Sequence, residues 1–366
     1  MPLPPLFNPS NDMALAANLR QYTPPRHIRQ MEDDLRDLAR LWDEGPWGWS
    51  LATKQRYRRM GIPECDLPTD EWLRQVRNLS SRQFGAEYYR QLTLALSPAP
   101  CSLPPAPCSL PPAPCSLPLA PCPLSPAPCT LPPAPCPLSP APCSLLPAPC
   151  SLPLIPCQSR FVTSLESLES LGTLRSLGPL LIFKAPWSSS GRGNILVRGE
   201  MDDAARRRIG RIIREQGGIV VEPFYTDKAL DFAMEFWVGD RETRFLGYSV
   251  FSADEMGHYG GNYVESQPSL LRRIDLPGPL LDSLIQYHCR RLSSLPYRGP
   301  VGIDMMRLSD GRVHPCVEIN FRMTMGLLAL LLYNKGIRDD QLLTPHRDHG
   351  FTAEILRGRL TLTCRP

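Results

Sequence analysis

From Ser97 to Gln158 the sequence contains no Asp, Glu, Lys or Arg. A folded domain of that size needs charged groups on its surface, so this stretch is not a globular domain. Elsewhere cysteine is scarce: Cys65, Cys289, Cys316 and Cys364 are scattered, and none sits in a zinc-like pair. That excludes a disulfide-rich secreted scaffold for the rest of the chain. No apolar run is long either. The longest, Gly326–Tyr333, falls far short of the roughly 20 residues that span a bilayer. Met1–Pro5 lacks the basic start and apolar run of a secretory leader, so a cytoplasmic protein with reduced thiols is expected. The net charge of +4 neither demands nor excludes an anionic partner. Arg206–Arg208 lies in a helical pattern and reads as a solvated face rather than a nucleic-acid patch.

Proline and cysteine fill the uncharged stretch, which holds 23 of the 43 prolines and 9 of the 13 cysteines. The cysteines fall at 101, 108, 115, 122, 129, 136, 143, 150 and 157, a seven-residue period with consensus Pro-Ala-Pro-Cys-Ser-Leu-Pro. Two or three prolines per unit abolish a coiled coil, and polyproline II with turns is the physical expectation. Neighbouring cysteines would then lie roughly 22 Å apart, too far to bridge. Residues 97–158 are therefore expected to be an expanded, disordered linker, with the last unit, Leu152–Cys157, as the original and the others its copies. All 76 charged residues (40 basic, 36 acidic) fall on the other 304, one in four, an ordinary globular density.

The chain divides at this segment. Residues 1–96 read as mainly helical after a short strand at Leu6 that runs into the polar turn Asn8–Asp12. Helical spacing follows over Ile28–Leu41, Asp70–Leu79 and Ser81–Leu96. From Ser159 onward strands and helices alternate. Strands are expected at Leu180–Phe183, Ile195–Val197, Ile219–Glu222, Leu230–Val238, Val301–Leu308 and Arg312–Asn320, with helices over Met201–Gln216 and around Leu280–His288. Residues 346–366 read as a polar tail, including His346-Arg-Asp-His349.

The last strand pair carries the chemistry. Ser309-Asp310-Gly311 suits a tight turn closed by a left-handed glycine. Counting back from it pairs Asp304 with Cys316, and alternation puts Asp304, Glu318 and Asn320 on one face. Two carboxylates and an amide oxygen gathered together want a cation, and oxygen-only ligands suit Mg²⁺ beside a substrate phosphate. Upstream, Lys184 ends an apolar strand. The loop Ser188, Ser189, Ser190, Gly191, Arg192 and Gly193 follows it, with backbone N–H groups that can wrap phosphate oxygens. The loop is not a Walker P-loop, whose lysine follows the glycines and opens a helix.

These pieces are Leu181-Ile-Phe-Lys-Ala, then Gly-Arg-Gly193 five residues on, Val220-Val-Glu-Pro-Phe224, the run from Tyr297 to Asp304, and Val317-Glu-Ile-Asn-Phe-Arg322. In order and separation they resemble the ATP-grasp superfamily, most closely its biotin-carboxylase-like members, over residues 159–335. The resemblance implies an α/β protein of two α+β lobes, with an ATP-grasp domain at 159–345 hinged near 222–226. It also implies a smaller N-terminal α/β domain at 1–96, with the repeat inserted between the two.

The implied cofactors are ATP and Mg²⁺ (or Mn²⁺). Lys184 would hold the α/β-phosphates, the Ser188–Gly193 loop would cover them, and Glu222, Pro223 and Phe224 would form the adenine and ribose hinge. Asp304, Glu318 and Asn320 would ligate the metal, and Arg322 would meet the transferring phosphoryl group. Ser188–Ser190 stand where the family has glycines, and either Asp231 or Glu235 takes an acidic position after the hinge.

The implied activity is a carboxylate ligase that makes an acylphosphate for attack by an amine or other nucleophile. Its partners would be those two small molecules, with no nucleic acid, no membrane, and a homodimer left open. Two rivals share the fold: a non-catalytic ATP-binding module with the repeat as an interaction arm, and a small-molecule kinase. The loop His258–Tyr263 is a weaker candidate for substrate contact, and His314 and Cys316 read as packing residues.

Overall fold

Before the repeat, the described residues form helices and a single isolated β-bridge. The computed structural model describes residues 2–96, 153–170, 177–188, 193–254, 259–338, 340–344 and 349–365. The first 96 residues give α1 (Asn11–Ala17), α2 (Arg26–Asp34), α3 (Leu51–Arg59), α4 (Asp70–Leu79) and α5 (Arg82–Leu96). Thr69 starts α4 by accepting the Trp72 N–H at 3.1 Å, one of the donors a helix end leaves open. The opening strand and the α/β character expected of this region are not found: Leu6 makes one bridge, to Pro46. Side chains outcompete strand pairing there. The Asn8 amide donates to the Gly48 carbonyl at 2.9 Å and to Thr53 Oγ1 at 3.0 Å. Asn11 and Asp12, read as turn residues, form the first turn of α1.

Beyond the repeat come β1 (Arg160–Val162), α6 (Leu165–Ser170), β2 (Leu180–Lys184), β3 (Ile195–Arg198), α7 (Asp203–Gln216) and β4 (Ile219–Pro223). The strands form an antiparallel sheet in the order β1-β4-β2-β3, with α7 packed on it. Asp202 caps α7 through the Ala205 N–H at 2.6 Å, and Gly217, at φ 84°, ends it as its sequence suggests. Leu181, Phe183, Ile195 and Val197 meet Ile209 and Ile212 in one apolar core. Each such side chain contributes about 2 kcal/mol.

A larger sheet follows, built from β5 (Lys228–Val238), β6 (Thr243–Ala253), β7 (Tyr259–Tyr263), α8 (Gln267–Ile274), α9 (Gly278–Ser293), β8 (Gly299–Leu308), β9 (Val313–Asn320), α10 (Met325–Asn334), β10 (Gln341–Leu342), β11 (Gly350–Leu356) and β12 (Arg359–Arg365). Its strand order is β10-β11-β12-β7-β6-β5-β8-β9, every pair antiparallel, and α8, α9 and α10 pack against β6. Two expectations are corrected here. Tyr259–Tyr263, read as part of a loop, is a strand. The "tail" forms a hairpin whose β12 pairs with that strand. Arg357 (φ 51°) and Gly358 (φ 69°) make the two-residue turn with the backbone twist hairpins favour. His258 and the 345–348 part of the tail lie outside the described residues.

The decisive hairpin is β8–β9. Gly311 (φ 86°) closes its turn, and the Leu308 N–H donates to the Arg312 carbonyl at 2.8 Å, as the sequence suggests. Farther out the register slips: Met306 faces His314, but Asp304 faces Glu318 rather than Cys316. Pro315 lies in the slip and has no N–H for the ladder, which is where a bulge is tolerated. The bulge sets the two carboxylates directly opposite each other.

The final repeat unit belongs to the folded part, so the linker ends sooner than position 158. The Val313 N–H donates to the Pro153 carbonyl, and the Ile155 N–H to the Val313 carbonyl, both at 2.8 Å. Tyr89 Oη donates to the Ile155 carbonyl at 2.8 Å, and the Ile155 side chain is buried. Residues 97–152 lie outside the described residues.

His288, on α9, is fully enclosed. Its Nδ1 meets Tyr88 Oη at 2.8 Å, and the two rings stack. Burial pushes its pKa down to about 3, against about 6.5 in the unfolded chain. The stability it contributes is therefore complete above pH 6.5 and is lost as the pH falls toward 3, at about 1.4 kcal/mol per unit. Buried Glu235 works the other way, so the comparison that isolates His288 is wild type against His288→Phe. Thermal unfolding from pH 7 to pH 5 should shift in favour of the variant as the pH drops. A constant difference would show that His288 already carries its proton in the fold.

Candidate active site

Asp304 on β8 and Glu318 on β9 face each other beside Asn320, whose Nδ2 donates to Asp304 Oδ2 at 3.0 Å. Burial raises the Asp304 pKa well above the carboxylate range, and the Glu318 and Glu235 charges add to the shift. Two carboxylates lie at close quarters in a poorly hydrated place with one direct ion pair between them, Glu318 to Arg82, and the ligand atoms available are oxygens. Two carboxylates and an amide oxygen are the kind of donor that Mg²⁺ accepts.

Arg322 follows β9 and is held by α1. Its Nε and Nη2 donate to Asp12 at 3.0 and 2.8 Å, and its Nη1 donates to the Met323 carbonyl at 3.0 Å. Burial would lower its pKa, but the Asp12 charge, followed by Glu318 and Asp304, raises it on balance. Asp12 was not singled out from sequence. Its only signal was the density of polar side chains from Asn8 to Asp12.

Lys184 ends β2 and ion-pairs with Glu222 on the adjacent β4, where Ile182 and Glu222 are register partners. Glu222 also accepts from Ser159 Oγ at 2.8 Å. Burial alone would raise Glu222, but Lys184 and His314 bring it below its ordinary value. Pro223 and Phe224 continue along the rim, the Phe224 N–H donating to the Leu180 carbonyl at 2.9 Å. Of the phosphate-covering loop, Ser188 and Gly193 (φ 91°) are seen. Ser189, Ser190, Gly191 and Arg192 lie outside the described residues.

Two cavities meet at the carboxylates. The larger, about 780 Å³, is lined by Lys184, Glu222, Pro223, Phe224, Asp231, Asp304 and Glu318. The smaller, about 270 Å³, is lined by Asp12, Glu235, Asn262, Asp304, Glu318, Arg322 and Thr324, with apolar walls that include Ile28, Met31 and Phe251. The acids Asp231 and Glu235 thus part company: Asp231 lines the larger cavity and Glu235 the smaller.

Glu235 accepts from Thr324 Oγ1 and Ser249 Oγ, each at 2.9 Å. Burial drives its pKa up to about 7 against those hydrogen bonds. Gly302 and Gly326 leave room for it. A Cβ on Gly302 would stand 2.8 Å from Glu235 Oε2, and one on Gly326 would collide with Oε1. His314 is buried against the Tyr89 ring at 4.4 Å between centroids, a packing role as read from sequence.

Arg82 was missed altogether. It opens α5, which packs against both β4 and β9, and it carries a guanidinium into the space between Lys184 and Glu318. A single arginine at the start of an amphipathic helix gives no local sign of such a position.

No family model matches the chain, and no curated protein is similar to it in sequence. Solved structures do match. One is the biotin carboxylase domain of Hydrogenobacter thermophilus 2-oxoglutarate carboxylase, solved with MgADP, ADP and bicarbonate. It is 11% identical, covers 58% of this chain and 57% of its own, and has a TM-score of 0.36. D-alanyl-alanine synthetase A from Vibrio cholerae is 16% identical over 47% of this chain and 52% of its own, with a TM-score of 0.35. N5-carboxyaminoimidazole synthetase from Staphylococcus aureus, complexed with ADP, is 13% identical over 47% and 46%, with a TM-score of 0.32. The chain thus spans about half the length of the proteins it matches. Among the described residues no helix is long and apolar enough to cross a membrane. The likeness to these structures is at low identity and over about half of the chain.

Proposed function

We propose that the chain is an ATP- and Mg²⁺-dependent ligase of the ATP-grasp type, which activates a small carboxylate as an acylphosphate for attack by an amine or other nucleophile. The observation that carries this reading is the shared wall. Asp304 and Glu318 line both cavities, so groups bound on either side meet at the carboxylate pair. The larger cavity has the size of a nucleotide site and the smaller that of a modest organic acid. Lys184 holds phosphate oxygens from the β2 end, and Pro223 and Phe224 border the base.

Asp304, Glu318 and Asn320 would hold Mg²⁺, which when bound neutralises phosphate charge and orients the γ-phosphoryl group. Arg322, fixed by Asp12, holds the substrate carboxylate and then the acylphosphate. A carboxylate oxygen forms its bond to Pγ as the bond from Pγ to the bridging oxygen breaks and ADP leaves. The nucleophile then bonds to the acyl carbon, phosphate departs with the C–O electron pair, and the amine proton passes to solvent. Positioning and charge do the work, and no protein nucleophile is required.

ADP release by the purified full chain, screened against pooled carboxylates with and without pooled amines, tests this. Release should depend on a carboxylate and on Mg²⁺, and Lys184→Ala should lower it at least about a hundredfold. ATP binding with no turnover in any pool would leave a non-catalytic module. Turnover that is saturated by an alcohol in place of a carboxylate would make the protein a kinase.

A further inference from the structure

Arg82 is only 9% exposed, yet its charge is incompletely used. Its backbone N–H donates to the Pro186 carbonyl at 2.9 Å, which fixes the start of α5 against the loop after β2. Its Nη1 donates to the Ala185 carbonyl at 3.0 Å and to Ser188 Oγ, and its Nη2 to Glu318 Oε2 at 2.9 Å. A guanidinium has five N–H donors, and three are engaged here. Nε has no partner among the described residues. Leaving such a donor dry and unmet costs about 1–3 kcal/mol, and a ligand that meets it would recover that cost.

The surroundings identify that ligand. Arg82 lines the larger cavity together with Lys184, and planar forks of this kind bind phosphate oxygens two at a time. The one acid it touches, Glu318, is also a proposed metal ligand, and a carboxylate oxygen drawn to a divalent ion is a weaker partner for arginine.

We propose that Arg82 is a phosphate-binding residue of the nucleotide site, held by Glu318 in the empty protein and turned to the terminal phosphates once a metal ion claims that carboxylate. The proposal rests on the nucleotide reading of the larger cavity. It gives the helical N-terminal region a direct part in binding: α5 delivers a cationic group beside Lys184 to a site otherwise made by the two sheets. It also makes metal and nucleotide binding mutually supportive, because each removes one competitor from the other's ligand.

Calorimetric titration of the full chain with ATP, with and without Mg²⁺, tests it on wild type, Arg82→Gln and Arg82→Lys, with thermal unfolding recorded for each. Arg82→Gln should weaken Mg-ATP binding at least about tenfold but metal-free ATP binding by less than about threefold, since without metal the arginine is occupied. Arg82→Lys keeps a charge but loses the fork, and should fall between. A purely structural arginine would lower the unfolding midpoint and weaken both forms of ATP equally, or neither, and either pattern overturns the proposal. Should Arg82→Gln fail to fold, Arg82→Lys decides by the same comparison. Wild type that binds no nucleotide in either condition overturns both this proposal and the ligase reading. Wild type that binds Mg-ATP no better than Arg82→Gln overturns this one alone.

Discussion

Asp304→Asn should abolish Mg²⁺-dependent ADP release, by at least about a hundredfold, while making the metal-free protein more stable rather than less. The two halves of this result have one cause. Asp304 faces Glu318 across β8–β9 and sits near Glu235, so its charge is resisted by burial and by like neighbours. An amide of the same shape keeps the hydrogen-bonding contact with Asn320 and removes the repulsion. Glu318→Gln should be equally inactive, but its unfolding midpoint should fall, because it leaves the Arg82 guanidinium without its carboxylate. Steady-state ADP release and thermal unfolding without metal measure both halves. Full activity in Asp304→Asn would remove the carboxylate pair from the metal site. A lowered midpoint in that variant would mean that its neighbours stabilise the Asp304 carboxyl in the metal-free protein.

Asp12→Ala should be the most destabilising single change at the smaller cavity. It strands Arg322, whose side chain is 17% exposed, with Asp12 itself at 14%. Breaking a buried pair from one side costs about 3–5 kcal/mol, and the residual exposure here favours about 3. Asp12→Asn keeps an acceptor for Arg322 and should lose less than half of that. Activity should fall further than stability does. An untethered Arg322 can swing off the line between the two cavities, and misplacement of about an ångström already costs about a hundredfold. Urea unfolding and turnover at saturating ATP separate the two effects. A variant with wild-type turnover and a lowered midpoint would make Asp12 a structural residue only.

These two sites differ in how visible they were in the sequence. The carboxylate face was legible because a strand alternates with period two and the turn residues Ser309–Gly311 mark where to start counting. Lys184 was legible as a charge ending an apolar strand. The exact partner of Asp304 was not, because the slip at Pro315 changes pairing without changing which residues share the face. Asp12 and Arg322 are 310 positions apart, and nothing local records that α1 delivers one to the other. The hairpin at 350–365 was read as a tail because its strands carry Thr352, Thr361 and Thr363 among few large apolar residues. It is held by pairing with β7 and by a short buried stripe of Ala353, Ile355 and Leu360. α1 escaped notice because seven residues are too few to show a helical period, and its support comes from packing against α3.

The anchored end of the repeat bears on how such a segment can change length over generations. Alanine stands at 99, 106, 113, 120, 127, 134, 141 and 148, and isoleucine at the matching position 155, the residue the fold buries. Among the described residues, the copy at 155 is the one seated in the fold. Slipped-strand replication that adds or drops whole units upstream of Pro153 leaves that copy in place, and being a multiple of twenty-one nucleotides it also leaves the reading frame intact. Loss of Ile155 itself would unseat the strand junction at Val313.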